Sequence, residues 1–216
     1  MTPRRISLVR DCRGASAAEF AIVLPLLLIL IFGVIDGGRF LWEANRAEKA
    51  TQVGVRMAVV TNVLAPGLIS EDYVGKTING VVIKSGDLIP AAALGRVECN
   101  RTVSVCTCAV APCPNALGTM DTGTFGKLVD RMRTIDPTLT NANVVVTYSG
   151  SGLGAAGEGG STAMDPSPLI TVSLDGGTDQ TRLKFTPITS LMLATINMPS
   201  FSSTLTAEDA SGNYSE

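Results

Sequence analysis

The chain contains no histidine. That absence removes Ser-His and Cys-His nucleophilic pairs, histidine zinc ligands and histidine pH switches together. Charge is scarce as well: Asp, Glu, Lys and Arg make up 17% of the residues, against about a quarter in ordinary soluble domains. The net charge of −2 leaves no basic field, so nucleic acid is not an expected partner. The five cysteines form no Cys-x-x-Cys pair, which argues against a zinc knuckle and against a redox-active dithiol. No cofactor is expected. What the 216 residues do contain is apolarity gathered at one end, and they are enough for one domain plus an anchor.

Residues 1–14 read MTPRRISLVRDCRG, with Arg4, Arg5, Arg10 and Arg13 against the single acid Asp11. Residues 15–35, ASAAEFAIVLPLLLILIFGVI, carry one charge, Glu19. At 1.5 Å per residue this stretch spans about 31 Å, the thickness of a bilayer's hydrocarbon core. The arginines before it place the N-terminus in the cytoplasm and the rest of the chain outside. The competing reading is a cleaved secretory signal, but the apolar stretch is long and it ends in Asp36-Gly37-Gly38-Arg39 without a small-x-small cleavage site. Pro25 lies within the span, where a membrane helix tolerates it.

Glu19 is the oddity, because a carboxylate beside an apolar span costs free energy unless it has a partner or reaches the interface. Gly14-Ala15-Ser16-Ala17-Ala18-Glu19-Phe20 has the form Gly, four residues, Glu, aromatic, ahead of an apolar helix. Together with the basic leader, the Leu-Pro-Leu-Leu-Leu run at 24–28, the Gly-x-x-Asp-x-Gly-Arg pattern at 33–39 and a following amphipathic helix, it resembles the N-terminal region of TadE-like pseudopilins of tight-adherence (Tad) pilus systems, over roughly residues 13–60. The resemblance implies cleavage between Gly14 and Ala15 by a prepilin peptidase, with Glu19 and Phe20 as recognition and assembly residues. It also implies that Glu19 pairs with the freed amine of a neighbouring subunit. Other pilin and pseudopilin subunits and the cytoplasmic membrane are then the partners. Ala15 distinguishes the site from type II secretion pseudopilins, which place an aromatic directly after the glycine.

Residues 36–65 read as a helix continuing out of the membrane and ended by Ala65-Pro66-Gly67. Leu41, Ala44, Glu48, Thr51, Val55 and Ala58 recur at helical spacing as one stripe. Either the chain's own domain or sister helices could cover that stripe. Phe40 and Trp42 suit an interfacial aromatic position.

Residues 66–216 shift toward Gly, Ser, Thr and Asn and read as an extracytoplasmic α+β domain, an antiparallel sheet with short helices. Strands are expected over 80–83, 96–106, 144–148, 169–174 and 202–206, and helices over 125–135 and, after Pro187, over 189–196. Gly150 to Gly160 reads as a loop. Ser70 to Thr77 approaches a phosphate-binding loop but lacks its first glycine. Asp175 to Asp179 reads as a turn rather than a calcium loop.

Cys12 lies in the leader, on the reducing side. Cys99, Cys106, Cys108 and Cys113 form an even set in an oxidising compartment and read as two disulfides, with a four-thiolate zinc site as the rival. Three pairings are possible, and the one containing Cys106–Cys108 ranks last because its ring is very tight. The expected function is non-enzymatic: a minor, TadE-like pseudopilin that helps assemble a Tad pilus for surface adherence. The alternative is a membrane-tethered binding module that never enters a filament. A carboxylate-based hydrolase is the remaining option.

Overall fold

The computed structural model describes residues 14–100, 104–157, 164–175, 181–188 and 194–207. Helix α1 runs Ala15–Val60, with Pro25 inside it. A 3-10 turn at Pro66–Leu68 leads to strands β1 (Thr77–Ile78) and β2 (Val81–Val82), and a second 3-10 turn at Ala91–Ala93 to β3 (Arg96–Asn100) and β4 (Val105–Val110). Helix α2 (Thr122–Arg133) is followed by β5 (Val145–Ser149), β6 (Leu169–Ser173), β7 (Lys184–Phe185), β8 (Ile196–Asn197) and β9 (Ser202–Thr206). This is a long N-terminal apolar helix followed by a small antiparallel-sheet domain with a short helix. The chain divides into two compact units, Met1–Trp42 with Thr186–Ile196, and Glu43–Phe185 with Asn197–Glu216.

In the second unit five strands form one antiparallel sheet in the order β4-β3-β5-β6-β9. Alternation decides its faces. Val97, Cys99, Val146, Tyr148, Ile170 and Val172 are buried on one side. On the other, a hydroxyl-rich row runs across all five strands in register: Thr107, Glu98, Thr147, Thr171 and Thr204. Thr171 and Thr204 share a 2.7 Å hydrogen bond there.

The buried face is covered by α2, through Phe125, Leu128, Val129 and Met132, and by the part of α1 that belongs to this unit. In that part of α1 the buried positions are Ala47, Ala50, Thr51, Gly54, Val55 and Ala58. The stripe expected from sequence therefore holds for Thr51, Val55 and Ala58, while Leu41 is 63% exposed and Glu48 is exposed. The difference is one of size. Small side chains let the helix backbone approach: a Cβ on Gly54 would lie 2.7 Å from Met132 Sδ and 3.3 Å from Val172 Cγ1. A leucine in that seam would hold the helix off the sheet.

Several boundaries move for local reasons. Helix α1 stops at Val60 rather than near Pro66. Thr61 Oγ1 donates to the Met57 carbonyl at 2.9 Å, and Leu64 N–H donates to the buried Tyr148 hydroxyl at 3.0 Å, so the chain leaves helical geometry early. The expected strand over 96–106 is a hairpin, because the chain reverses between Asn100 and Val105 and pairs Cys99 with Cys106. Helix α2 begins at Thr122, three residues before the expected start, because Asp121 caps it and accepts from Gly123 N at 3.0 Å and Thr124 N at 2.9 Å. Ile135 falls in the turn after the helix. Of the helix expected over 189–196, Thr189 to Leu193 lie outside the described residues, and Ile196 is in a strand instead.

A satellite core of Tyr73, Ile83, Ile89, Ala93 and Ala156 sits beside the β1–β2 hairpin, with Ile78 packed against it. The hairpin turns on Asn79-Gly80, with φ of 50° and 82° and Ile78 paired to Val81, the positive-φ pair that a two-residue primed turn needs.

Candidate membrane anchor and processing segment

The start of α1 holds the residues singled out in the sequence. Gly14 precedes the helix directly and is exposed, with nothing within 4 Å of the place where a Cβ would stand. Ala15 is the first helical residue, so the Gly14–Ala15 peptide lies at the junction where the helix begins. Glu19 is exposed one turn further on, and Phe20 beside it is 63% exposed. Residues 1–13, including Cys12, lie outside the described residues.

From Phe20 to Ile35 the helix buries nothing: Ile22, Leu26, Leu30 and Val34 are all exposed. An unburied stretch of this length and apolarity is a candidate membrane span. Pro25 has no N–H, so the helical bond to the Ala21 carbonyl is missing at that level.

The apolar stretch ends at Asp36, which is 5% exposed. Its Oδ1 accepts Ile188 N–H at 2.8 Å and lies 3.3 Å from Arg39 Nη1 one turn along. The buried carboxylate thus has a backbone donor and a cation, the two partners that such a group requires. Sequence reasoning had placed Asp36 only within a motif. The signal available was a lone acid between an apolar run and two glycines, which marks a polar contact without identifying its donor.

In the second unit α1 is fixed by polar contacts as well as by its small-residue seam. Arg46 Nη2 meets Asp136 Oδ1 at 2.7 Å, and Arg46 Nε donates to the Ile135 carbonyl at 3.3 Å. Asp136 Oδ1 also accepts from Thr138 Oγ1 at 2.7 Å. Thr51 Oγ1 lies 2.9 Å from Ser203 Oγ on β9.

The four outer cysteines form two disulfides, Cys99–Cys106 and Cys108–Cys113, with Cα separations of 4.1 Å and 5.9 Å. Cys99 and Cys106 face each other across the hairpin and are buried, whereas Cys108 is exposed on the edge strand. No thiolate is left among these four to hold a metal. At Ser70 to Thr77, Lys76 Nζ pairs with Glu71 Oε1 and lies 4.5 Å from the centre of the Tyr73 ring. The segment runs into β1 rather than into a helix, so it lacks the backbone nest of a phosphate loop.

Three ionisable groups of the second unit are displaced from their ordinary ranges by causes visible in the fold. Burial, reinforced by Glu71 and Asp165, pushes the Tyr73 phenol up to about 12. Burial also raises Tyr148, against the opposing Leu64 N–H bond. Hydrogen bonds from Thr124 lower Asp121. None of the three lines the open face of the sheet. There a shallow depression of about 440 Å³ is bordered by Glu98, Thr147, Thr171, Asp175 and Ser202, and Arg96 Nε holds Glu98 Oε1 at 2.9 Å.

No curated protein matches the chain. No solved structure matches it either. The family model of TadE-like proteins matches residues 14–56. That match begins at Gly14, ahead of the first helical residue, and ends four residues before the helix does, so over most of its long helix the chain is similar to TadE-like proteins.

Proposed function

We propose that the chain is a minor, TadE-like pseudopilin that takes part in assembling a Tad pilus and has no catalytic role. The observation that carries this reading is the division of labour along α1. Its outer part, around Ala47 to Ala58, is occupied by its own domain, whereas Phe20 to Ile35 is apolar and unburied. The unburied part suits lipid before assembly and a bundle of sister helices after it, since both environments accept the same side chains.

Processing fits the same scheme. Cleavage between Gly14 and Ala15 by a prepilin peptidase removes Arg4, Arg5, Arg10 and Arg13, the groups that resist movement through lipid toward the outside. It leaves an ammonium at Ala15, one turn before Glu19. A neighbour's ammonium beside that carboxylate neutralises a charge that is expensive at membrane depth. The N-terminus lies in the cytoplasm before cleavage, and the disulfide-bonded domain lies outside.

N-terminal sequencing of the protein recovered from membranes tests the reading. Ala15 is the expected first residue. Recovery of an intact residue 1–14 segment would instead favour a tethered binding module, for which the hydroxyl-lined depression on the sheet is the candidate surface.

A further inference from the structure

We propose that the Cys108–Cys113 bridge is a thiol-exchange site, at which a small monothiol such as glutathione is taken up on Cys108 while Cys113 is released. The inference needs only the fold of the second unit and is independent of the reading of α1.

Access separates the two bridges. Cys99 is fully buried and Cys106 is 8% exposed, so solutes do not reach that bond in the folded chain. Cys108 is exposed, and so are Thr107, Ala109 and Val110 beside it. It stands on β4, the end strand of the sheet, where β3 is its one sheet partner among the described residues. Cys113 is half-buried. An incoming thiolate therefore meets Cys108 Sγ first. Residues 104–120 contain no Asp or Glu, so no carboxylate of that stretch repels the anion. Exposed bridges are the exchangeable ones, because attack on a sulfur depends on access.

The surroundings of Cys113 suit the sulfur that leaves. Its Sγ lies 3.3 Å from the Val110 carbonyl oxygen and 3.8 Å from that of Arg96. While bridged, the sulfur has no proton to give them. Freed as a thiol it donates weakly to either, which stabilises the opened form. In the exchange a bond forms between the thiolate and Cys108 Sγ as the Cys108–Cys113 bond breaks. The electron pair leaves on Cys113 Sγ, which takes a proton from water. One disulfide replaces another, so neither oxidant nor reductant is consumed, and the product is a reversible cap.

The fold can hold the product. The segment after β4 keeps backbone bonds of its own, from Gly95 N–H to the Pro112 carbonyl at 2.6 Å and from Gly67 N–H to the Leu117 carbonyl at 2.9 Å, and Pro114 is buried. Four residues separate Cys108 from Cys113, which is not the spacing of a dithiol catalyst. The bridge is acted upon and does not act.

The test uses the natural full chain in detergent micelles, incubated with glutathione and quenched with N-ethylmaleimide. Fragmentation mass spectrometry locates each group, and the same chain in guanidinium serves as the control in which burial no longer protects either bridge. The expected folded product carries glutathione on Cys108 and maleimide on Cys113, at least tenfold over the reverse arrangement, with Cys99 and Cys106 unlabelled. Equal amounts of the two arrangements would overturn the assignment of Cys108 as the attacked sulfur. Labelling of Cys99 and Cys106 at the same rate, or no adduct on the folded chain under conditions where the denatured chain reacts, would overturn the exchange site itself.

Discussion

Arg46 Nη2 and Asp136 Oδ1 lie 2.7 Å apart, and this contact joins the outer half of α1 to the turn that follows α2. The pair is largely withdrawn from water, with side-chain exposures of 21% for Arg46 and 7% for Asp136. Removing one partner leaves a buried charge uncompensated, which costs about 3–5 kcal/mol. Arg46→Ala is expected at the lower end, about 3 kcal/mol, because the arginine is partly exposed. Thermal unfolding in detergent micelles should show the loss. If Arg46→Ala and Asp136→Ala together cost no less than the sum of the two single changes, the pair is not coupled as described.

The Gly54 seam makes a second prediction. Gly54→Leu forces a branched side chain into space already held by Met132 and Val172. Overpacking of this kind costs about 1–3 kcal/mol, although leucine is the better helix former by close to 1 kcal/mol. The packing effect should win, and a drop in the midpoint of chemical denaturation measures it. A stabilised variant would mean that the helix can lift from the sheet without loss.

The long apolar helix was legible in the sequence because hydropathy and length act over many residues and tolerate local error. So were the strands over Val145–Ser149 and Leu169–Ser173, whose β-branched runs are unambiguous. The stripe on α1 was misplaced because hydrophobicity alone favours Leu41, whereas helix-to-sheet packing selected small residues, Ala47, Ala50 and Gly54. The hairpin at 96–110 reads in the sequence as one strand over 96–106, because alternation continues past the reversal and cross-strand pairing depends on register that one strand does not carry. The Asn79-Gly80 turn and the Asp121 cap were present as short motifs but sat between weak elements. Asp36 could not have been matched to Ile188 from sequence, since their bond spans 152 positions.

Acid and alkali should act on different parts of the second unit. Asp121 has a folded value below its ordinary 3.8, so its contribution is present above about pH 4 and is lost as pH falls through the depressed value. Asp121→Ala should cost about 1 kcal/mol at neutral pH, and Asp121→Asn, which can still cap, should cost less and flatten the acid limb. Tyr73 titrates near 12 rather than at 10, and Tyr148 is raised in the same direction. Their neutral phenols stabilise the fold fully below pH 10, and that contribution is lost as pH rises through the folded values. Denaturation midpoints across pH 9–12 should fall for the natural chain and fall less steeply for Tyr73→Phe.

The two disulfides should differ in access. Cys99 is fully buried and Cys106 is 8% exposed, while Cys108 is exposed and Cys113 half-buried. A mild reductant followed by an alkylating agent should modify Cys108 and Cys113 first, as read by peptide mass. Opening the edge bridge should leave the sheet intact, because β3 is also paired along its whole length with β5. Simultaneous modification of all four cysteines would show that the hairpin opens as one unit.

Glu19 tests the assembly mechanism directly. It is exposed on the otherwise apolar stretch 15–35 of α1, so Glu19→Gln removes a charge without removing bulk. Insertion into the membrane should be as good or better, because the penalty for the carboxylate disappears. If the carboxylate serves to hold the amine released at Ala15 of a neighbour, the same change should lower the yield of assembled fibres while leaving the amount of membrane-bound protein unchanged. Comparing Glu19→Gln with Glu19→Asp separates charge from reach, since the aspartate keeps the negative group but withdraws it by one methylene. Normal fibre yield for Glu19→Gln, with cleavage still occurring after Gly14, would mean that the acid serves neither the neighbour's amine nor the peptidase, and the unburied helix alone would then have to account for assembly.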